Sequence, residues 1–256
     1  MKTTPPWPYP RWIAHRGAGH LAPENTLAAF RHGAALGYRM FECDVKLSAD
    51  GVPFLLHDTT LTRTTNAHAR LPANASEVAG EHHWATLAQL DAGSWHSRQY
   101  AGEPLATLDN VAAWCLANHC LLNIEIKPSP GTERETGEAV ARRAAQLWPS
   151  SAVAPLLTSF ATEALAGART SAPALPRALL LEALVPDWLG TARALGCVAV
   201  VCDHALWDAA SVAQAQAAGL RCLSYTVNDA WAAQRLWDLG TDGIITDRVD
   251  QFCPAA

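Results

Sequence analysis

The chain has 256 residues, of which half are hydrophobic and 17% are charged, a balance typical of a folded enzyme and unlike that of a disordered or fibrous protein. Its length is close to that of one (β/α)8 barrel. The formal net charge of −5, with no cluster of lysines, argues against a surface that binds nucleic acid, so we expect no nucleic-acid partner.

The first ten residues are rich in proline and too poor in apolar residues to form the core of a signal peptide. No run of about 20 apolar residues follows, so we expect no membrane insertion. The seven cysteines are odd in number and form no Cys-x-x-Cys pair, which argues against a disulfide framework and a zinc knuckle. Together these features predict a protein of the reducing cytoplasm.

Apolar strands alternate with amphipathic helices along nearly the whole chain. Eight strands are predicted, near Trp12–Gly17, Met40–Val45, Leu121–Ile126, Leu156–Ser159, Ala178–Leu181, Val198–Val201, Arg221–Thr226 and Gly243–Thr246. Helices are expected between them, as in Thr26–Leu36, Leu108–Asn118, Glu133–Leu147, Asp208–Ala218 and Ala230–Leu239. Asn25 is the expected N-cap of the first helix. The pattern predicts an α/β fold, a closed TIM (β/α)8 barrel.

A ninth apolar run, Val52–Leu56, cannot be a parallel strand. Only residues 48–51 separate it from the second strand, whereas a parallel crossover needs a dozen residues or more. It is therefore expected to return antiparallel, as a hairpin strand. A turn centred between Ala49 and Asp50 predicts that His57 lies opposite Glu42.

The segment 59–107 does not follow the rhythm of strand and helix. It is rich in His, Trp, Ala and turn residues, and a connection of this length is usually functional or carries small elements of its own. We expect it to be an insertion within a single barrel domain, 1–256, that caps the mouth of the barrel and shapes the substrate pocket. A surface segment without functional consequence is the alternative.

Three carboxylates follow strand-like runs. Glu42 and Asp44 are two residues apart and therefore point to the same face of a strand, and Glu125 occupies the corresponding end of the next barrel strand. Three oxygen ligands suit one divalent cation, Mg2+ or Ca2+, better than zinc. The alternative is a structural ion network in which Arg16 and Lys127 pair with these acids.

Two histidines and two cations flank the acids. His15 ends the first strand and His57 ends the hairpin strand, which suits a general acid and a general base that act near neutrality. Arg16 offers a fork for two phosphate oxygens, and Lys127 offers a point charge. Which histidine is the acid stays open, as does the choice between direct attack by water and a cyclic phosphate intermediate.

Other polar residues at strand ends have less specific roles. Tyr225 and Asn228 follow the seventh strand and are expected to contact an apolar or hydroxylated part of the substrate; the alternatives are core packing and helix capping. Lys46 is either a substrate contact or a solvated side chain. Thr246 and Asp247 are expected to be a cap or a structural anchor.

Ordered motifs extend over almost the full length of the chain. They are Trp7-Pro8-Tyr9-Pro10-Arg11, His15-Arg16-Gly17, Ala22-Pro23-Glu24-Asn25-Thr26-Leu27-Ala28-Ala29, Glu42-Cys43-Asp44, Phe54-Leu55-Leu56-His57-Asp58, Asp91-Ala92-Gly93-Ser94-Trp95, Asn123-Ile124-Glu125-Ile126-Lys127-Pro128 and Tyr225-Thr226-Val227-Asn228. On these motifs the chain resembles the glycerophosphodiester phosphodiesterase family, most closely its bacterial cytosolic members linked to glycerol-3-phosphate uptake.

The resemblance implies a PLC-like phosphodiesterase barrel that cleaves small glycerophosphodiesters, such as glycerophosphocholine or glycerophosphoethanolamine, to sn-glycerol 3-phosphate and an alcohol. The implied site residues are His15, His57 and Arg16 for catalysis, Arg16 and Lys127 for phosphate, and Glu42, Asp44 and Glu125 for the metal ion. Tyr225 stands where the wider family often has Trp, which leaves the leaving-group preference open.

Two other functions remain open at this point. Lysophospholipase D-type activity on acylated lipids would need an apolar collar at the barrel mouth, for which Trp84 and Trp95 are the candidates. A catalytically silent barrel that binds phosphate esters would not need the pair of histidines. The sequence does not separate a monomer from a homodimer.

Overall fold

One nine-stranded sheet runs through residues 7–150, 152–252 and 254, the part of the chain that this computed structural model describes. The strands are β1 (Trp12–Ala14), β2 (Met40–Leu47), β3 (Pro53–Leu55), β4 (Leu121–Ile126), β5 (Leu156–Ser159), β6 (Arg177–Leu181), β7 (Ala199–Asp203), β8 (Arg221–Tyr225) and β9 (Gly243–Thr246). Eight are parallel and close into a ring because β1 pairs with both β9 and β2. The ninth, β3, lies outside the ring as an antiparallel partner of β2. The predicted barrel with a hairpin strand is confirmed.

The helices of the described residues cover the outside of the barrel or lie in the segment between β3 and the fourth helix. They are α1 (Leu27–Ala35), α2 (Ala67–Arg70), α3 (Trp84–Leu87), α4 (Leu108–Ala117), α5 (Glu133–Leu147), α6 (Thr162–Ser171), α7 (Trp188–Ala194), α8 (Ala209–Ala217) and α9 (Ala230–Asp238). The five helices predicted by range agree with the structure to within one residue at each end. In the described part of the chain, no helix is both long enough and apolar enough to cross a membrane.

The first helix is capped by Thr26, so the predicted cap at Asn25 is wrong. The Thr26 Oγ1 atom accepts a hydrogen bond from the Ala29 backbone N–H at 3.2 Å. Asn25 has a φ of +60° and uses its amide on Asp44 instead: Nδ2 donates to Asp44 Oδ2 at 2.8 Å, and Oδ1 accepts from the Asp44 N–H at 3.1 Å. Both residue types are good N-caps, and a partner distant in sequence decides between them.

The inner face of β2 changes from apolar to polar along its length. Met40 joins the apolar cluster that fills the base of the barrel, while Phe41 and Cys43 face the helices on the outside. Because side chains alternate along a strand, Glu42 and Asp44 share the inward face with Met40. Both are buried, with 3% and 1% of their surface exposed. The carboxylates therefore lie above a packed apolar floor, at the carboxyl end where barrel active sites are built.

The β2–β3 hairpin differs from the prediction by one residue. The structure pairs Val45 with Leu55 and Leu47 with Pro53, so the turn is centred on Asp50 and not between Ala49 and Asp50. Gly51, in this turn, has a φ of +79°, a left-handed conformation that favours glycine. Pairing ends at Leu55, and the prediction that His57 lies opposite Glu42 is wrong.

The segment between β3 and α4 forms a small layer on the hairpin. Besides α2 and α3 it contains two short 3-10 helices, Ala79–Glu81 and Arg98–Tyr100. Its apolar side chains enclose Phe54, which is fully buried. A backbone hydrogen bond from Leu55 N–H to the Ala106 carbonyl joins the end of the segment to β3. The segment is therefore structured and fixed to the strand that leads to His57.

Candidate active site

A cavity of about 230 Å³ opens at the carboxyl end of the barrel strands. Its lining residues are His15, Arg16, Glu42, His57, Asn123, Glu125, Lys127, Thr158, Phe160, Leu180, Glu182, Tyr225, Thr226 and Ile245. The structure therefore brings together most of the residues predicted from sequence. Asn228 is not among the lining residues. No residue of 59–107, all of which are described, is among the lining residues, and the segment packs on the hairpin strand.

Glu42, Asp44 and Glu125 form a cluster whose ligand oxygens lie within 4.8 Å of one another. Parallel pairing of β2 with β4 sets Asp44 beside Glu125 in the sheet. The Oε1 atom of Glu42 is buried and has no hydrogen-bond partner. A buried polar atom of this kind is costly unless another group satisfies it. These three residues thus fit a divalent cation, which would be bound by carboxylate oxygens and would satisfy Glu42 Oε1.

The charges of the cluster support this interpretation. Burial, followed by the nearby Asp44 and Glu125 carboxylates, holds the pKa of Glu42 well above its usual range. Burial and Asp44 likewise raise the pKa of Glu125. Burial alone would raise the pKa of Asp44, but Arg16 and Lys127 together lower it. Three buried carboxylates resist full ionisation without a cation, and a divalent ion removes that resistance.

Arg16 and Lys127 contact the carboxylates in this structure. The Arg16 Nε atom is 3.3 Å from Asp44 Oδ2, and its backbone N–H donates to Glu42 Oε2 at 3.0 Å. The Lys127 Nζ atom lies 2.9 Å from Glu125 Oε1 and 3.6 Å from Asp44 Oδ1. The ion pairs considered as an alternative are therefore present. Both side chains also line the cavity, so they face the space where an anion would enter.

His15 is oriented by Asp247, a residue for which the sequence suggested only a cap or an anchor. The His15 Nδ1 atom lies 2.6 Å from Asp247 Oδ1. Against the effect of burial, the hydrogen bond and charge of His15 lower the pKa of Asp247 to about 2, so Asp247 is a carboxylate and can only accept. The proton is therefore on Nδ1, and Nε2, 3.9 Å from Glu42 Oε2, is presented to the cavity.

Asn228 holds Asp247 in place, whereas the sequence suggested a substrate contact. Its Nδ2 atom donates to Asp247 Oδ2 at 3.0 Å, and its Oδ1 atom accepts from the Asp247 backbone N–H at 2.9 Å. The signal that could have identified Asp247 is its place directly after the last barrel strand, where polar residues of a (β/α)8 barrel meet.

His57 also has a carboxylate partner and lines the same cavity. Its Nδ1 atom is 2.8 Å from Oδ1 of Asp58, its neighbour in sequence. Burial lowers the pKa of His57, so the neutral imidazole is favoured near neutrality. Asp58 accepts the Nδ1 proton, which leaves Nε2 for chemistry. Two imidazoles with carboxylate partners thus line the same cavity as Glu42 and Glu125.

Tyr225 forms an aromatic part of the cavity wall. Its ring meets Phe160 edge-on, with centroids 5.6 Å apart, and its Oη atom donates to the Leu181 carbonyl at 3.0 Å. The hydroxyl is thereby occupied by a backbone carbonyl of β6. Lys46 is buried, neither solvated nor in the cavity lining, and its Nζ atom donates to the Lys127 carbonyl at 3.3 Å.

Comparison with known proteins identifies the family. The model of the glycerophosphoryl diester phosphodiesterase family matches residues 15–251. A solved structure of an Oleispira antarctica phosphodiesterase, in complex with the product sn-glycerol 3-phosphate, superposes with a TM-score of 0.84 at 34% identity and covers 93% of both chains. A glycerophosphodiester phosphodiesterase from Agrobacterium tumefaciens superposes with a TM-score of 0.77 at 25% identity, covering 96% of this chain and 100% of that one.

Curated relatives agree. YhdW of Bacillus subtilis, whose name assigns it provisionally to the glycerophosphodiester phosphodiesterases, is 30% identical over 93% of this chain and 94% of its own. Human glycerophosphoinositol inositolphosphodiesterase GDPD2 is 43% identical over 109 residues, 41% of this chain. The chain covers a fifth or less of the length of the first curated relatives it matches. The family model matches residues 15–251, and YhdW and the Oleispira structure each match over more than nine tenths of both chains. The chain therefore belongs to the glycerophosphoryl diester phosphodiesterase family.

Proposed function

We propose that this protein hydrolyses glycerophosphodiesters, such as glycerophosphocholine or glycerophosphoethanolamine, to sn-glycerol 3-phosphate and an alcohol. The observation that carries the proposal is the pair of histidines, each bonded at Nδ1 to a carboxylate, in one cavity with Glu42 and Glu125 of the cluster of three acids. A site that only binds phosphate esters needs no pair of oriented proton carriers. The product complex of the Oleispira relative supports the choice of substrate class.

Proton transfer is assigned to the two imidazoles. One imidazole, neutral and protonated at Nδ1, accepts the nucleophile's proton at Nε2. The other starts as the imidazolium, protonated at both nitrogens, and donates its Nε2 proton to the leaving alcohol. Asp247 and Asp58 hold the rings in orientation and stabilise the imidazolium that forms. General acid and base catalysis of this kind contributes about 10²- to 10⁴-fold each in rate. Arg16 supplies its guanidinium to the phosphate oxygens beside them.

Glu42, Asp44 and Glu125 are the proposed ligands of one divalent cation, Mg2+ or Ca2+. The cation would supply Lewis-acid chemistry, polarising a phosphate oxygen and lowering the pKa of a hydroxyl group. With the carboxylates neutralised in this way, Arg16 and Lys127 are available to stabilise negative charge on phosphate oxygens. Tyr225 provides the flat wall against which the remainder of the substrate packs.

Substitution of each histidine tests the assignment. His15→Ala and His57→Ala are each expected to lower the release of sn-glycerol 3-phosphate from glycerophosphocholine by about 10²-fold or more. His68→Ala, at an exposed position of α2, is the matched control and is expected to turn over like the wild type. Turnover near the wild-type value in either site variant would contradict the assignment.

Activity on acylated lipids is not favoured, because Trp84 and Trp95 do not form the apolar collar that it would need. The Trp84 ring packs against Phe54, with centroids 6.0 Å apart, and is partly buried. Trp95 is 38% exposed, but neither tryptophan lines the cavity.

A single domain over 1–256, a cytoplasmic location and a monomeric or homodimeric state complete the proposal. The six described cysteines are free and buried, which supports a reducing compartment.

A further inference from the structure

We propose that Arg63, in the segment between β3 and α4, is a positioning residue that holds His57 and Arg16 in their working orientations at once. This inference rests on the proposed function. Arg63 does not line the cavity, so it acts through two carboxylates that lie between it and the site residues.

Arg63 grips both carboxylates with its whole guanidinium group. Its Nε and Nη2 atoms donate to Asp58 Oδ2 and Oδ1 at 2.6 and 2.9 Å. Its Nη1 and Nη2 atoms donate to Glu24 Oε2 and Oε1 at 2.7 and 2.8 Å. A planar fork can satisfy two carboxylates in this way, whereas a lysine ammonium cannot match the same geometry.

Each carboxylate holds one residue of the site. Asp58 Oδ1 is the partner of His57 Nδ1 at 2.8 Å, and Glu24 Oε1 accepts from Arg16 Nη1 at 2.9 Å. His57, Asp58, Arg63, Glu24 and Arg16 thus form one continuous series of hydrogen bonds. It joins the loop after β1 to the end of the β2–β3 hairpin, two segments that carry the proposed proton carrier and phosphate ligand.

Removal of Arg63 would affect the two ends of the series differently. The Asp58 carboxylate would lose the two hydrogen bonds that fix its orientation. The orientation of the His57 ring, and the position of its proton on Nδ1, would then be less strictly fixed. Glu24 would keep Arg16 as its remaining cation among the described ion pairs, and would therefore compete more strongly with phosphate for that guanidinium. The first effect lowers kcat, and the second raises KM.

The local backbone of Arg63 is built to hold such a position. Leu61, two residues earlier, is fully buried in the cluster that encloses the hairpin strand. Thr65 Oγ1 donates to the Leu61 carbonyl at 2.5 Å and accepts from the Ala67 N–H at 3.1 Å, which closes a tight turn around Arg63. The segment 59–107 thus contributes to the site through Arg63, although none of its side chains reaches the cavity.

Steady-state kinetics of Arg63→Ala and Arg63→Lys test the proposal. Residues that orient site groups typically contribute about 10- to 100-fold to activity, and we expect Arg63→Ala to lower kcat/KM by that factor through both a lower kcat and a higher KM. Arg63→Lys should recover only part of the loss. Arg134→Ala is the matched control, because Arg134 also uses two nitrogens on one carboxylate, that of Glu163, in an exposed pair outside the cavity lining.

Substitution of the intermediates separates the two effects. Asp58→Asn is expected to lower kcat with little change in KM. Glu24→Gln is expected to raise KM with little change in kcat, because Arg16 loses the carboxylate that holds its orientation. Arg63→Ala added to Asp58→Asn should lower kcat little further, since both act on His57. Independent losses that multiply would overturn the proposal.

A measurement that does not depend on turnover keeps the proposal separate from the proposed function. Nitrogen-15 spectra of the imidazoles, with His57 assigned by its loss in His57→Gln, should show one tautomer protonated at Nδ1 in the wild type and a mixture in Arg63→Ala. An unchanged His57 signal together with wild-type kinetics would refute the role of Arg63. A wild-type protein that cleaves no glycerophosphodiester would refute the proposed function and leave the tautomer result to decide on Arg63.

Discussion

Replacing Asp247 by asparagine changes one atom in the contact that orients His15. The Nδ2 atom of Asn228 donates to Asp247 Oδ2, so an asparagine would keep its carbonyl oxygen there and place its NH2 group at the Oδ1 position, 2.6 Å from His15 Nδ1. That NH2 can only donate, so Nδ1 becomes the acceptor and the ring proton moves to Nε2. The imidazole then presents the wrong atom to the cavity.

The expected loss in kcat is about 10²- to 10⁴-fold, the usual contribution of one acid or base, and it is limited by the loss in His15→Ala because Asp247 acts through that ring. Release of sn-glycerol 3-phosphate at saturating substrate measures it. Asp250→Asn is the control, since the Asp250 carboxylate pairs with Arg248 on the surface. A kcat near the wild-type value in Asp247→Asn, with His15→Ala inactive, would refute the orienting role.

Three further outcomes are expected. Glu42→Gln should lower turnover and raise the Tm of the metal-free protein. The substitution removes a buried carboxylate whose pKa is raised by burial and by the neighbouring carboxylates. Thermal unfolding in EDTA measures the change in Tm. Gly17→Ala should lower the Tm more than Gly102→Ala. Both glycines have a positive φ, a conformation that costs an alanine about 1–3 kcal/mol. Of the two, only Gly17 has a neighbour that the new Cβ would meet, the Cβ atom of Ala29 at 2.7 Å. Asp247 has a pKa of about 2 in the folded protein and about 3.9 in the unfolded chain. Its ionised form therefore contributes stability that is present above about pH 4 and is lost as the pH falls through about 2. The urea midpoint of Asp247→Asn should accordingly fall less steeply over that pH range than the midpoint of the wild type.

The barrel could be predicted because each strand is an apolar run that ends in polar residues. The ranges for β4, β5 and β9 agree exactly with the structure. The hairpin register could not be predicted, because a turn centred between Ala49 and Asp50 and a turn centred on Asp50 both fit the sequence 48–51. The structure has the second, with Gly51 in a left-handed conformation. A shift of one residue was enough to misplace His57.

The candidate site was predicted in its acids and histidines but not in the residues that orient them. Asn25 was expected to cap a helix and instead binds Asp44. Asn228, for which a substrate contact or a helix cap was expected, bonds to Asp247. Each has a local role that is plausible for an asparagine, and a partner distant in sequence overrides it. Arg63 gave no signal at all, because its segment has no helical or strand period to orient its side chain.

Release of sn-glycerol 3-phosphate from glycerophosphocholine, measured first in EDTA and then with added Mg2+ or Ca2+, tests the central claim most directly. We expect no release in EDTA and restored release with the divalent ion, lost again in Glu42→Gln. Release in EDTA at the full rate, or none with either ion, would contradict a metal-dependent glycerophosphodiesterase built on these residues.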